Sequence, residues 1–141
     1  MANEATVRVF LQVNNGNQQY RAPAEAFHAD MTGDQGPTPG SFLAATAPGT
    51  DVDLSHVGIP GGLVKVKNID TVNFVSYGPF DPDTGVFYFW GELRPGESFV
   101  WRMSRFLGGE EVGTGTSGSD KTFRFVANAQ PCQVLVEAFS A

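Results

Sequence analysis

Two histidines and one cysteine stand among 141 residues, so nucleophilic, acid–base and metal chemistry have few places to reside. Asp53-Leu54-Ser55-His56 has the residue types of a Ser/His/Asp triad. A triad draws its members from separate elements, because neighbours on an extended chain point away from each other. The segment therefore reads as a polar loop. His28, between Phe27 and Ala29, has no acid or nucleophile beside it and reads as a surface or interface histidine.

The glycine-rich run over residues 113–122 looks superficially like a phosphate-cradling loop. A P-loop needs Lys directly after its last Gly and then a helix, whereas Lys121 follows Gly118 by three residues and opens a strand-like pattern. A flexible connector over residues 108–120 is the expectation. Asp81-Pro82-Asp83-Thr84-Gly85 sets two carboxylates two apart before a glycine, as some calcium loops do, but no Glu follows at EF-hand spacing. Asp81 and Asp83 are thus weak metal candidates beside the simpler reading of an Asx-type turn. Cys132 has no partner for an intrachain disulfide and no ligand cluster around it, and is expected to pack as a small hydrophobe. Trp90 and Trp101, with Tyr77 and Tyr88, suit a core, an interface hot spot or a sugar-stacking platform. No catalytic residue and no cofactor is assigned.

The elements that must position these residues are strands. Val7, Val9, Leu11 and Val13 alternate with polar or aromatic neighbours and run into Asn14-Asn15-Gly16-Asn17, a hairpin turn with an expected return over residues 18–21. Residues 30–60 are broken by Gly and Pro at intervals too short for a helix and form a long excursion suited to contacts with another chain. Helical turns over residues 24–29 or 41–47, and brief sheet pairing by Val52, Leu54 and Val57, are expected around it.

Strand patterns follow over residues 63–67 and 71–77, with Asn68-Ile69-Asp70 as the tight antiparallel connection. Residues 86–92 form the next strand, and Arg94-Pro95-Gly96-Glu97 is a turn answered by residues 97–103. Residues 121–127 and 133–139 complete the set. About eight strands with regular turn signals predict an all-β fold, an antiparallel β-sandwich or jelly-roll-like barrel with long loops, as a single domain over residues 1–141. Several strands are apolar on both faces, as in Phe89-Trp90 and Val100-Trp101, so a second cover, a loop or another subunit, is expected.

Charged residues make up 17% of the chain, below the roughly 25% of an average soluble domain, while 41% is hydrophobic, which argues against overall disorder. The net charge of −6 repels phosphate backbones, so nucleic acid is not an expected partner. No apolar run approaches the roughly 18 residues of a membrane helix and the start lacks a signal-peptide pattern, so no membrane partner and synthesis in a cytoplasm are expected.

Val64-Lys65-Val66-Lys67-Asn68-Ile69-Asp70-Thr71-Val72-Asn73-Phe74-Val75, Leu93-Arg94-Pro95-Gly96-Glu97, Phe125-Val126-Ala127-Asn128 and Val134-Leu135-Val136-Glu137 carry a resemblance. Over residues 62–138 the chain resembles small virion proteins encoded in the structural modules of tailed bacteriophages. It departs from them in a longer, more aromatic stretch over residues 77–90 and an insertion-like loop over 108–120. The resemblance implies a non-enzymatic head decoration or cement protein, located in the virion, bound to the major capsid protein or other virion proteins and forming a homo-oligomer, a trimer at local threefold axes. Tail, collar or adaptor positions and a carbohydrate-binding module are the alternatives. A jelly-roll hydrolase ranks last, since its metal ligands or clustered carboxylates cannot be assembled here. Phe42, His56, Trp90, Trp101 and Arg105 are the candidate contact residues.

Overall fold

The computed structural model describes residues 5–31, 49–52, 54, 62–104 and 121–139, and the backbone of 41–44, 106–107 and 110–111. Every element in it is a strand, and the chain clusters into two compact units divided after Thr32.

The first unit is a two-part hairpin. β1 (Ala5–Val9) pairs antiparallel with β4 (Glu25–Ala29), and β2 (Gln12–Asn15) with β3 (Gln18–Arg21) across the two-residue turn Gly16-Asn17. The expected turn and return are present, but the single strand through Val13 is interrupted at Phe10-Leu11. Three residues, Ala22-Pro23-Ala24, oppose those two, and Pro23 has no N–H to give a ladder. Ala22 N–H still donates to Leu11 O at 2.9 Å. A one-residue slip exchanges the faces of a strand, and the aliphatic set is divided: Val9, Phe10, Leu11 and Tyr20 are 55, 52, 56 and 55% exposed. The helical turn expected over residues 24–29 is instead β4. Its alanines favour a helix, yet five residues are too few to nucleate one against a ready-made ladder. Residues 41–47 are corrected likewise, because their described part is β5 (Ser41–Ala44).

The second unit is an antiparallel sandwich of two open sheets, and the barrel is not closed. The first sheet runs β11 (Ser98–Met103), β7 (Gly62–Asn68), β15 (Cys132–Phe139), β5. The second runs β10 (Gly91–Leu93), β8 (Val75–Asp81), β14 (Thr122–Ala127), β6 (Thr50–Asp51), with β9 (Val86–Phe87) also on β8. A separate ladder joins β12 (Phe106–Leu107) to β13 (Glu110–Glu111).

Period-two alternation aims Val64 and Val66 of β7, and Cys132, Val134, Val136 and Ala138 of β15, at Val75, Phe123, Phe125 and Ala127 of the other sheet. Lys65 and Glu137, opposite each other in register, form a 2.8 Å ion pair on the outer face. Of the brief sheet pairing expected at Val52, Leu54 and Val57, one bond is seen, Val52 N–H donating to Phe123 O just past β6; Val52 and Leu54 lie outside the strands and are buried in the core, and Val57 lies outside the described residues. Cys132 is fully buried, its thiol donating weakly to Gln130 O at 3.5 Å, and burial with the nearby Asp70 charge pushes its pKa up.

Two connections differ from expectation. Asn68-Ile69-Asp70 does not return β7 onto β8 as a hairpin, and the 94–97 turn does not pair β11 with β10. Both carry the chain from one sheet to the other. The 94–97 turn itself has the expected chemistry: Glu97 N–H donates to Arg94 O at 3.0 Å, Pro95 holds the second position and Gly96 has φ +81°, which a type II turn requires. At β7 the cause is Asn68. Its Nδ2 donates to Asn73 O at 2.9 Å and Leu93 O at 3.0 Å, while its Oδ1 accepts from Asp70 N–H. Asp70 Oδ1 in turn accepts from Val72 and Asn73 N–H, both at 2.7 Å, and these bonds hold its carboxyl below the ordinary value of 3.8.

A candidate docking surface

The sequence run Phe87-Tyr88-Phe89-Trp90 is apolar on both sides, and the structure shows what becomes of it. β9 opposes β8 as Phe80↔Phe87, and β10 opposes it as Gly91↔Tyr77. Three residues, Tyr88 to Trp90, therefore span the two residues Gly78 and Pro79. This is a β-bulge, which bends the strand and re-aims its side chains. Tyr88 N–H donates to Pro79 O at 2.9 Å and Trp90 N–H to Tyr77 O at 3.0 Å, so Phe89 is the extra residue. Gly78 makes the approach possible: a Cβ there would lie 1.8 Å from Tyr88 O.

The bulge raises a ridge. Tyr88, Phe89 and Trp90 are 49, 70 and 55% exposed, with Phe89 edge-on to Phe87 at 4.5 Å. Beneath it, Trp90 meets Phe123 at 5.8 Å, and Phe123 also packs on Trp101 at 5.0 Å. Tyr77, Phe99 and Trp101 stack in one cluster, Tyr77–Phe99 at 5.9 Å and Phe99–Trp101 at 5.4 Å. Burial raises the pKa of the Tyr77 hydroxyl. Trp101 is half-buried, and its buried Nε1–H has no acceptor among the described residues. The two tryptophans thus divide: Trp101 belongs mainly to the packing and Trp90 is both packed and presented.

The other face of β14 is occupied by an ion pair. Arg124 is 9% exposed, donates through Nε to Asp51 Oδ1 at 2.5 Å and lies 3.3 Å over the Phe80 ring. Asp81 Oδ1 accepts from Asp83 N–H at 3.0 Å, which is Asx-turn geometry, and Lys121 Nζ lies 3.8 Å from the same carboxylate. Among the described residues no three His, Cys, Asp or Glu side chains gather as metal ligands would. Phe42 pairs with Val134 through the backbone of β5. His56, Arg105, the Phe42 side chain and most of the 30–60 and 108–120 segments lie outside the described residues. His28 bonds through Nδ1 with the Thr6 hydroxyl opposite it, at 3.1 Å.

The end of the sandwich where the two crossover turns meet carries an open groove of about 410 Å³, lined by Asn68, Asp70, Thr71, Pro95 and Gly96 among others. The two turns share one hydrogen-bonded node, since Asn68 N–H donates to Glu97 O and Gly96 N–H to Asn68 O, both at 3.0 Å. Comparison of the chain with protein-family models, curated proteins and solved structures finds no match.

Proposed function

We propose that this chain is a non-catalytic structural protein that works by holding on to protein surfaces, and that its setting is a bacteriophage virion, where it decorates and cements the outer shell. The observation that carries the docking role is the exposed apolar surface on each unit: Val9, Phe10, Leu11 and Tyr20 on the hairpin, and Tyr88, Phe89 and Trp90 on the sandwich. Clustered aromatics of this exposure are the composition of interface hot spots, and contiguous apolar patches beyond a few hundred Å² mark interaction sites. The virion setting is supported by the turn motifs around Asn68 and Gly96 and by the physics of a shell, where many modest contacts act together. The expected partners are the major capsid protein and further copies of the chain.

Cryo-electron microscopy of virions from cells expressing the chain with its neighbouring genes tests this. Density for the two-sheet body on the shell supports it. Particles that carry no such density overturn the decoration role, and density on the tail or collar moves the chain there.

The exposed Trp90 favours one second reading, a carbohydrate-binding module that stacks sugar rings. Glycan-array binding that Trp90→Ala abolishes supports it, and an array without signal removes it.

A further inference from the structure

We propose that the tip of the hairpin is a site of spontaneous covalent modification, at which Asn15 and Gly16 close to a cyclic imide that water opens to aspartate or isoaspartate. The substrate is the chain itself and the co-reactant is solvent water, so the proposal stands apart from the docking role.

The sequence singles out this step. Asparagine is among the chemically labile residues, and of the asparagines in this chain only Asn15 is followed by glycine. Glycine has no side chain to screen its nitrogen, and its freedom in φ lets that nitrogen approach the side chain before it. Asn14 and Asn17 are followed by Asn15 and Gln18, whose side chains hinder the same approach.

The structure leaves the step open. Asn15 ends β2 and Gln18 starts β3, so Gly16 stands in the turn, with φ +52° and outside the ladder. Both Asn15 and Gly16 are exposed, and a Cβ built on Gly16 would meet nothing within 4 Å. Among the described residues no hydrogen bond holds the Asn15 side-chain amide or the Gly16 N–H. Asn68 is the opposite case: it is fully buried, its Nδ2 donates to the Asn73 and Leu93 carbonyls, and the branched Ile69 follows it. Ring closure also requires Asn15 to leave its extended conformation. A two-stranded hairpin is marginally stable alone in water, so its tip opens at small cost.

The reaction balances. Gly16 N gives up its proton and bonds to Asn15 Cγ, the Cγ–Nδ2 bond breaks, and the amide nitrogen leaves as ammonia with that proton. Water then adds to either imide carbonyl. Opening at Cγ restores the original backbone with aspartate at this position, whereas opening at the main-chain carbonyl leaves isoaspartate, whose backbone runs through Cβ and Cγ. Either product adds one negative charge to a chain of net charge −6. Isoaspartate also inserts a carbon into the main chain beside the turn. Turn and loop length fix the register of a hairpin, so the pairing from Asn15↔Gln18 back to Gln12↔Arg21 is disturbed.

Incubation of the folded full chain in heavy-oxygen water at neutral pH, with trypsin digestion in ordinary water and tandem mass spectrometry, tests this. Only oxygen gained by the intact chain at an asparagine then carries the label. Cleavage after Arg8 and Arg21 releases residues 9–21 as one peptide, which holds Asn14, Asn15 and Asn17 together. Label is expected at Asn15 roughly tenfold or more faster than at Asn14 or Asn17, a ratio equal to about 1.4 kcal/mol of barrier. It should appear in both aspartate and isoaspartate, because direct hydrolysis of the amide gives aspartate alone. Asn15→Gln keeps an amide at an exposed position but needs a larger, slower-closing ring, so it should lose the rapid conversion. Conversion of Asn15 no faster than that of its neighbours, aspartate without isoaspartate, or an Asn15→Gln variant that converts as fast as the unaltered chain each overturns the proposal.

Discussion

The side-chain amide of Asn68 reaches the carbonyl of Leu93, 25 residues along the chain, at 3.0 Å, and both groups are buried. Asn68 closes β7 in one sheet and Leu93 closes β10 in the other, so this bond joins the two places where the chain changes sheet.

Asn68→Ala removes two donated bonds and one accepted bond from a fully buried position, and leaves the Leu93 and Asn73 carbonyls without that donor. The expected loss is about 2–4 kcal/mol of unfolding free energy, at the cost of about 1–3 kcal/mol for each buried group left unsatisfied. Urea titration measures it, and a loss under about 0.5 kcal/mol would show that the node is dispensable.

Gly78→Ala places a methyl group against the Tyr88 carbonyl, a backbone atom that moves only with the whole bulge. Overpacking of this kind costs about 1–3 kcal/mol. Tryptophan emission should change too, because Trp90 donates its N–H to Tyr77 O on the far side of Gly78. Unchanged emission and stability would mean that the bulge is not pinned there.

Arg124→Met should cost about 1–3 kcal/mol: it leaves Asp51, whose side chain is 29% exposed, without its guanidinium, a smaller penalty than the 3–5 kcal/mol of a fully buried pair. Arg124→Lys should recover less than half of that loss, since an ammonium cannot both stack on Phe80 and keep the Nε–H bond to Asp51. Equal stability of the Lys variant and the unaltered chain would contradict the stacked geometry.

Trp101→Phe keeps a ring in the stack with Phe99 and Tyr77 while deleting a buried Nε1–H that has no acceptor among the described residues. It should fall within about 1 kcal/mol of the unaltered chain, whereas Trp101→Ala should lose about 2–4 kcal/mol. Denaturant midpoints of the pair distinguish the two contributions.

Backbone N–H groups of Asn73 and Val72 favour the ionised form of Asp70 in the folded chain. A depressed folded pKa contributes stability that is present above the ordinary value of 3.8 and is lost as pH falls through the lower folded value. Asp70→Asn should therefore flatten part of the fall in stability on acidification below about pH 4. Parallel stability curves for the two proteins between pH 5 and pH 2 would rule out this linkage.

The sheet interior was readable from residue types, because Val64/Val66, Phe123/Phe125 and Val134/Val136 repeat every second position whatever surrounds them. The sheet partners were not. Asn68-Ile69-Asp70 has the chemistry of a tight turn in a hairpin and in a crossover alike, and the bond to Leu93 that decides between them is not local. The ridge was hidden for the same reason: the run ending in Trp90 reads as one strand until Gly78 lets the Tyr88 carbonyl in. Trp90 was legible as a residue with something to offer, while Phe89 owes its exposure to being the extra residue in the bulge. On the hairpin the available signal was Pro23, which spoils the return limb and strands Val9, Phe10 and Leu11 in solvent.

The sealed sulfur of Cys132 gives the sandwich a built-in clock. With its Sγ in the interior and its ionisation suppressed, a thiol reagent reacts only when β15 parts from its neighbours. The labelling rate in mild conditions thus reports how often the body opens, and a partner that clamps the fold registers as slower labelling.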